Sequence, residues 1–234
     1  MAAKEIKLNL GCELNAPAGW VNIDGSWGAW LAKHRHLRRL LQRFQLFPEH
    51  VVNKPWASDV LVHDVRQPLP FADQVVSVVY ASHLLEHLYL EEARNLLQEC
   101  RRVLRPGGIL RLVVPDLRAM IDAYLSQGVP LGKGEGEIGL TPADLLNQRL
   151  LLREKSPPAG SIIYKIYSIL TDFHSHKWMY DAESLVWHVQ HAGYSEVAAR
   201  PVHDSRIEDI AEVELIERVV HGAGICVEGI KPAR

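Results

Sequence analysis

The sequence predicts an α/β fold: a mostly parallel sheet with an antiparallel C-terminal edge and helices on both faces. Three observations predict it. Short aliphatic and β-branched runs recur along the 234 residues and read as buried strands. The central run, Val75 to Tyr80, is followed by a helix-period pattern and then by Ile109 to Val114, an order that implies a right-handed parallel crossover. Near the C-terminus Gly224 to Ile230 alternates after a further strand pattern at Glu196 to Arg200, as an antiparallel pair does.

Taken in order, the first strand carries Leu8 and Leu10 and stops at Gly11; the second run, Trp20-Val21-Asn22-Ile23, ends in Asp24. A strand, a glycine turn and a carboxylate closing the next strand form the ribose-binding corner of nucleotide-type cofactor sites. The dinucleotide fingerprint G-x-G-x-x-G is absent, because the loop reads Gly11-Cys12-Glu13-Leu14-Asn15-Ala16. The same pieces also suit an ordinary αβ connection. Val60-Leu61-Val62-His63 gives a strand ending at Asp64. Leu85, Leu88, Ala93, Leu96, Leu97, Cys100 and Leu104 mark one helical face, which Arg105-Pro106-Gly107-Gly108 stops. A later helix is expected from an Asp181 N-cap to a stop at Gly193.

A chain of this length buries one core, and one domain over residues 1–234 is expected. Two insertions interrupt it, at about 25–56 and 117–179, the second with a glycine-rich turn at Gly132 to Gly136 and Pro157-Pro158-Ala159-Gly160. A net charge of -2 and 47% hydrophobic residues argue for a soluble globular protein; no nucleic-acid partner is expected. Three scattered cysteines suggest neither a disulfide framework nor a cysteine zinc site, and a cytoplasmic location fits, with no signal segment or membrane span read.

The first insertion interleaves Lys33, Arg35, Arg38, Arg39 and Arg43 with Trp27, Trp30, Leu31, Leu37, Leu40, Leu41 and Phe44, with no acid between Asp24 and Glu49. It reads as a basic amphipathic helix whose apolar stripe covers the sheet edge as a lid. Its basic face is a solvated surface, a contact with an anionic membrane, or a grip on a phosphorylated acceptor.

In order, these pieces resemble the class I S-adenosylmethionine-dependent methyltransferases, in particular the broad group with a Leu-Glu-His-Leu segment after the fourth strand. The resemblance rests on Leu8-Asn9-Leu10-Gly11-Cys12, Gly19 to Asp24, His63-Asp64-Val65, Leu85-Glu86-His87-Leu88, Arg102 to Gly108 and Val113 to Leu117. His176-Lys177-Trp178-Met179-Tyr180-Asp181 and Ala192-Gly193-Tyr194 extend it. It implies a Rossmann-like domain that binds S-adenosylmethionine and methylates a small-molecule or glycan-type acceptor at oxygen or nitrogen. It further implies that Gly11 and the backbone of Cys12 approach the methionine and ribose, that Asp24 accepts the ribose hydroxyls, and that Asp64 and Val65 fix the adenine. Ala81, Ser82 and His83 would line the methyl-donor end. His83 and, second, His176 are the catalytic candidates, with His176, Trp178 and Tyr180 also candidates for acceptor contacts, although Trp178 and Tyr180 read better as a hydrophobic staple for the helix that begins at Asp181. Two departures stand out: Glu13 where the family usually has a second glycine, and Asn9 where many members have an acid.

Two other readings use the same residues. Glu13 and Asn9 could mark a degenerate methyltransferase fold serving as a binding module. His83-Leu84-Leu85-Glu86-His87 also fits H-x-x-E-H, a zinc hydrolase signature that needs both histidines on one helical face and a third ligand, for which Glu91, Glu92 and Glu99 are at hand. Under the methyltransferase reading no metal is expected, His83 and His87 are helix-start residues, and His174-Ser175-His176 is a loop leading into a helix.

Overall fold

The computed structural model describes residues 5–126, 141–151, 161–163, 175–219 and 224–233. Seven strands form one sheet in the order β3-β2-β1-β4-β5-β7-β6. They are β1 (Lys7–Leu10), β2 (Val21–Asp24), β3 (Leu61–Val62), β4 (Val76–Ser82), β5 (Leu104–Pro115), β6 (Ser195–Arg200) and β7 (Gly224–Ile230). The pairings from β3 through β5 are parallel, whereas β7 runs antiparallel to both β5 and β6. This is the mostly parallel sheet with an antiparallel C-terminal edge that the sequence predicts.

Helices cover the sheet where the sequence supplies apolar stripes. Ala93, Leu96, Leu97, Cys100 and Val103 of α4 (Leu90–Val103) and Leu185 and Val189 of a later helix are buried in the larger core with Leu8, Leu10, Val79 and Leu112. A second core of Trp20, Tyr80, Val113, Ile207 and Val213 is built largely by the segment after β6.

The first insertion is not one helix but three: α1 (Trp27–Lys33), α2 (Arg35–Arg43) and α3 (Glu49–Val52). His34 breaks it, with φ −111° and ψ 67°, while Ser26 caps α1 by accepting from Ala29 N. The apolar stripe folds largely on itself, clustering Leu31, Leu41, Phe47 and Val52, while Ala29 and Trp56 of the same insertion pack with Val60 and Val62 at the β3 edge of the sheet.

Nor does the central helix start at Leu85. Leu85–His87 is a single 3-10 turn, the chain extends at Leu88 and Tyr89, and α4 begins at Leu90 where Glu92 accepts from Tyr89 N. Leu85 and Leu88 are both buried from this turn, which is why they read as part of the helical face. Arg105 to Gly108, expected as a stop, lie within an irregular start of β5, where Gly107 N and Gly108 O bond to Lys231.

The second insertion contributes α5 (Leu117–Leu125) and α6 (Pro142–Leu150). Gly132 to Gly136, Pro157 to Gly160 and His174 lie outside the described residues. Next comes α7 (Ala182–His191), N-capped by Asp181, which accepts from Ser184 N at 2.7 Å. A short helix, α8 (Ile216–Val219), precedes β7.

Candidate functional site

Chain order reverses between the parallel neighbours β1 and β4, and in such sheets a crevice opens beyond the carboxyl ends of the strands at that point. A cleft of about 540 Å³ lies there. Gly11 leaves β1 with φ +64°, and a Cβ on it would sit 3.1 Å from Leu84 Cδ1, so conformation and space both call for glycine. Asp24, at the end of β2, is buried; its Oδ2 accepts from Glu13 N at 3.0 Å and its Oδ1 from Ser26 N at 2.8 Å. Each oxygen keeps a further lone pair.

Asn9 shapes the turn between them. It is buried, and its Nδ2 donates to Asn15 O at 2.8 Å and to Asn22 Oδ1 at 2.9 Å. An acid could not donate in this way, so the departure at Asn9 is matched to its partners. Cys12, beside Gly11, turns its side chain into a small apolar cluster with Ala29 and Val60, and burial with the Asp24 charge pushes its thiol up to about 12.

Glu13 stands on the cleft rim at φ +50°. Its carboxylate meets Lys54 Nζ at 3.3 Å and Arg218 Nη2 at 2.8 Å. Burial opposes its charge, but these two cations outweigh it and hold the carboxyl below the usual range. One acid and two bases therefore share one edge of the cleft. Across it, Asp64 is gripped by Arg66, whose Nη2 lies 2.7 Å from Oδ2 and whose Nε lies 2.9 Å from Oδ1; the Asp64 carboxyl is held low chiefly by that hydrogen bond.

A further wall of the cleft starts at His83, which follows β4 with φ +52°. Its Nδ1 lies 3.1 Å from Glu86 Oε1 and its Nε2 2.9 Å from Arg218 O. Both neighbours can accept, and a doubly protonated, charged ring would donate to both. Burial disfavours that charge, yet the Glu86 carboxylate and the Arg218 carbonyl raise its pKa overall. His87 lines the cleft and its Nδ1 faces Ser175 O at 3.3 Å. His176 is buried behind it, ring centroids 4.9 Å apart, and burial pushes its pKa down.

Gly11, Asp24, Asp64, Val65 and His83 thus meet around one cleft. Cys12, Ser82 and His176 do not line it. Ser82 follows Tyr80 by two along β4 and so shares its face of the sheet, away from Ala81, which packs in the larger core. The zinc hydrolase pattern lacks its helix: His83 lies outside the 3-10 turn that holds Glu86 and His87, with both nitrogens already committed. Sequence reasoning missed Lys54, Arg66, Lys177 and Arg218 in the cleft wall. Arg66, two residues after Asp64, was findable; Arg218, 205 residues from the Glu13 it binds, carried no local signal.

Residues 40–112 match a family model described as a methyltransferase domain. These residues resemble a methyltransferase domain. The match runs from α2 into β5, covers less than half of the chain, and includes Asp64, His83 and His87. It bears out the resemblance to the class I enzymes. No curated protein matches the sequence. Among solved structures, an S-adenosylmethionine-dependent methyltransferase from Archaeoglobus fulgidus is 12% identical, with a TM-score of 0.47 over 97% of this chain and 86% of that one. A chain from a complex of the Haloferax volcanii Trm112 methyltransferase activator with a methyltransferase is 14% identical, with a TM-score of 0.45 over 98% and 83%. The CurJ carbon methyltransferase is 14% identical, with a TM-score of 0.46 over 99% and 50%. Likeness at this level carries no argument about function.

Proposed function

We propose that this chain transfers a methyl group from S-adenosylmethionine to a small-molecule or glycan-type acceptor, at oxygen or nitrogen. The observation that carries the reading is the corner at Gly11 and Asp24, where a turn without a side chain opens onto a buried carboxylate with spare lone pairs. When bound, the cofactor supplies an electrophilic sulfonium methyl group.

The chain's own residues bind and orient. Asp24 accepts the ribose hydroxyls beside the backbone of Gly11 and Cys12. Val65 packs on the base, and Asp64 takes its amino group once Arg66 swings aside. At the other edge the donor set suits a zwitterion: Glu13 faces the ammonium, while Lys54 and Arg218 face the carboxylate. The Glu13 departure then complements the amino-acid tail, since two cations offset its charge. Methyl transfer is an in-line displacement whose main demand is alignment of nucleophile, carbon and sulfur. His83, held between Glu86 and Arg218 O, orients the wall at the end of β4 and is the first candidate for proton transfer in the reaction. His176 positions the wall from behind His87.

The three cysteines are free and buried, which suits the cytoplasm, and no helix among the described residues is long and apolar enough to cross a membrane. The exposed Arg35, Arg39 and Arg43 beside the exposed Leu40 and Phe44 support peripheral contact with an anionic membrane or a phosphorylated acceptor.

Calorimetry tests the central claim. S-adenosylmethionine and its demethylated product should both bind, and Asp24→Ala should weaken both by about tenfold or more, the equivalent of roughly 1.4 kcal/mol. No binding of either by the wild-type protein would overturn the proposal and leave a binding module, the reading that the Arg66 grip on Asp64 favours.

A further inference from the structure

Behind the wall that starts at His83, Glu86, His87 and His176 each bring a ligand-capable atom to one point, all within 4.8 Å of one another. Glu86 is fully buried. Its Oε1 meets His83, and its Oε2 has no hydrogen-bond partner among the described residues. His176 is 6% exposed, and its Nδ1 likewise has none. Two buried polar atoms without partners, on two members of one cluster, are costly in an apolar interior.

We propose that Glu86, His87 and His176 bind one divalent first-row transition metal ion of the Zn²⁺ class. Two imidazoles and a carboxylate form a three-ligand set that this ion accepts, with a fourth position left for water. Bonds of about 2.0–2.2 Å require the three atoms to close up modestly, a movement within the reach of side-chain rotation. His83 is already placed as the outer partner: its Nδ1–H holds Oε1 and so orients the carboxylate, as hydrogen bonds behind metal ligands do. An access route exists as well, because His87 lines the cleft.

The site joins two parts of the chain. Glu86 and His87 sit in the 3-10 turn after β4, whereas His176 leads into α7, and Lys177 N and Trp178 N already donate to Glu86 O at 2.6 and 3.3 Å. A metal ion there fastens the loop from the second insertion to the cleft wall, since Lys177 and His87 both face the cleft. Adjacent ligands 86 and 87 with a third far along the chain follow no recognised spacing, so the sequence reads as metal-free.

The test titrates tag-free, chelator-stripped protein with Zn²⁺ alone, in competition with a chromophoric chelator and without any methyl donor or acceptor. One equivalent should bind, and Glu86→Gln and His176→Gln should each weaken binding by about 100-fold. His36→Ala, at an exposed histidine outside the cluster, should bind like the wild type. Substoichiometric Zn²⁺, or wild-type affinity in both cluster variants, overturns the proposal and leaves a buried water as the bridge between Glu86 and His176. If Glu86→Gln fails to fold, the Co²⁺-loaded wild-type protein decides. Visible ligand-field bands of a low-coordinate nitrogen and oxygen site support the proposal, and a spectrum of hexaaqua type overturns it. The readout stands whether or not S-adenosylmethionine binds.

Discussion

At the scale of single residues, the strongest buried commitment lies outside the cleft. Arg111, in mid-β5 opposite Glu228 of β7, is fully buried, and its Nη2 and Nε each lie 2.8 Å from a Glu214 oxygen. Its remaining donors reach Asp204 O at 2.8 Å and Pro201 O at 3.1 Å, so the loop after β6 is laced to the sheet. Removing one partner strands a buried charge: Arg111→Met should cost about 3–5 kcal/mol in urea unfolding. The double variant Arg111→Met with Glu214→Leu should recover part of that loss, which a pair valuable only for its attraction would not allow. Glu13 gives a pH-dependent case. Its folded pKa is held below the usual carboxylate range, so its contribution is present above the unfolded pKa and disappears as pH falls through the folded one. The urea-midpoint difference between wild type and Glu13→Gln should be constant near neutrality and shrink to zero in acid; a difference that persists in acid would assign the effect to something other than the charge.

At the scale of elements, the sheet was legible because its signals are local: β-branched runs, a helix between two of them, and alternation at the C-terminal edge. All seven strands were read to within a few residues, except that β5 starts five residues early, at Leu104. The first insertion was misread for a physical reason. Its helical period is real, but His34 leaves helical geometry, and the apolar residues then find one another in Leu31, Leu41, Phe47 and Val52. The candidate site was half legible. Gly11, Asp24 and Asp64 end strands, where position follows from topology, whereas Lys54 and Arg218 arrive from loops that only tertiary contact brings in. What α2 leaves outside is a stripe of Arg35, Arg39 and Arg43 next to Leu40 and Phe44, which are 50% and 61% exposed. Phosphatidylserine vesicles should therefore sediment the protein in low salt, with the bound fraction falling as salt rises. Arg39→Glu with Arg43→Glu should abolish sedimentation, and binding to neutral vesicles of equal strength would refute the membrane reading.

At the scale of the whole molecule, the cleft is where distant parts of the chain are held together. Glu13 follows β1, Lys54 closes the first insertion and Arg218 sits in α8 just before β7, so two ion pairs strap three regions at one rim. These straps are partly exposed and individually weak in water. On the proposed reading, a bound zwitterion would replace them with contacts to the same three groups and add those of Asp24, and so would couple the regions more tightly than the straps do alone. S-adenosylhomocysteine at about 100 times its dissociation constant should then stabilise the protein by roughly 2.7 kcal/mol, seen as a concentration-dependent rise in melting temperature. The rise should nearly vanish in Asp24→Ala at the same concentration. Arg218→Ala should retain a reduced rise, because it removes one tail contact and leaves the ribose corner intact. Hydrogen exchange gives the spatial check: ligand should slow exchange at Glu13, in the segment around Lys54 and in α8 together. Protection confined to the Gly11 turn would show that the three regions are not coupled through the cleft.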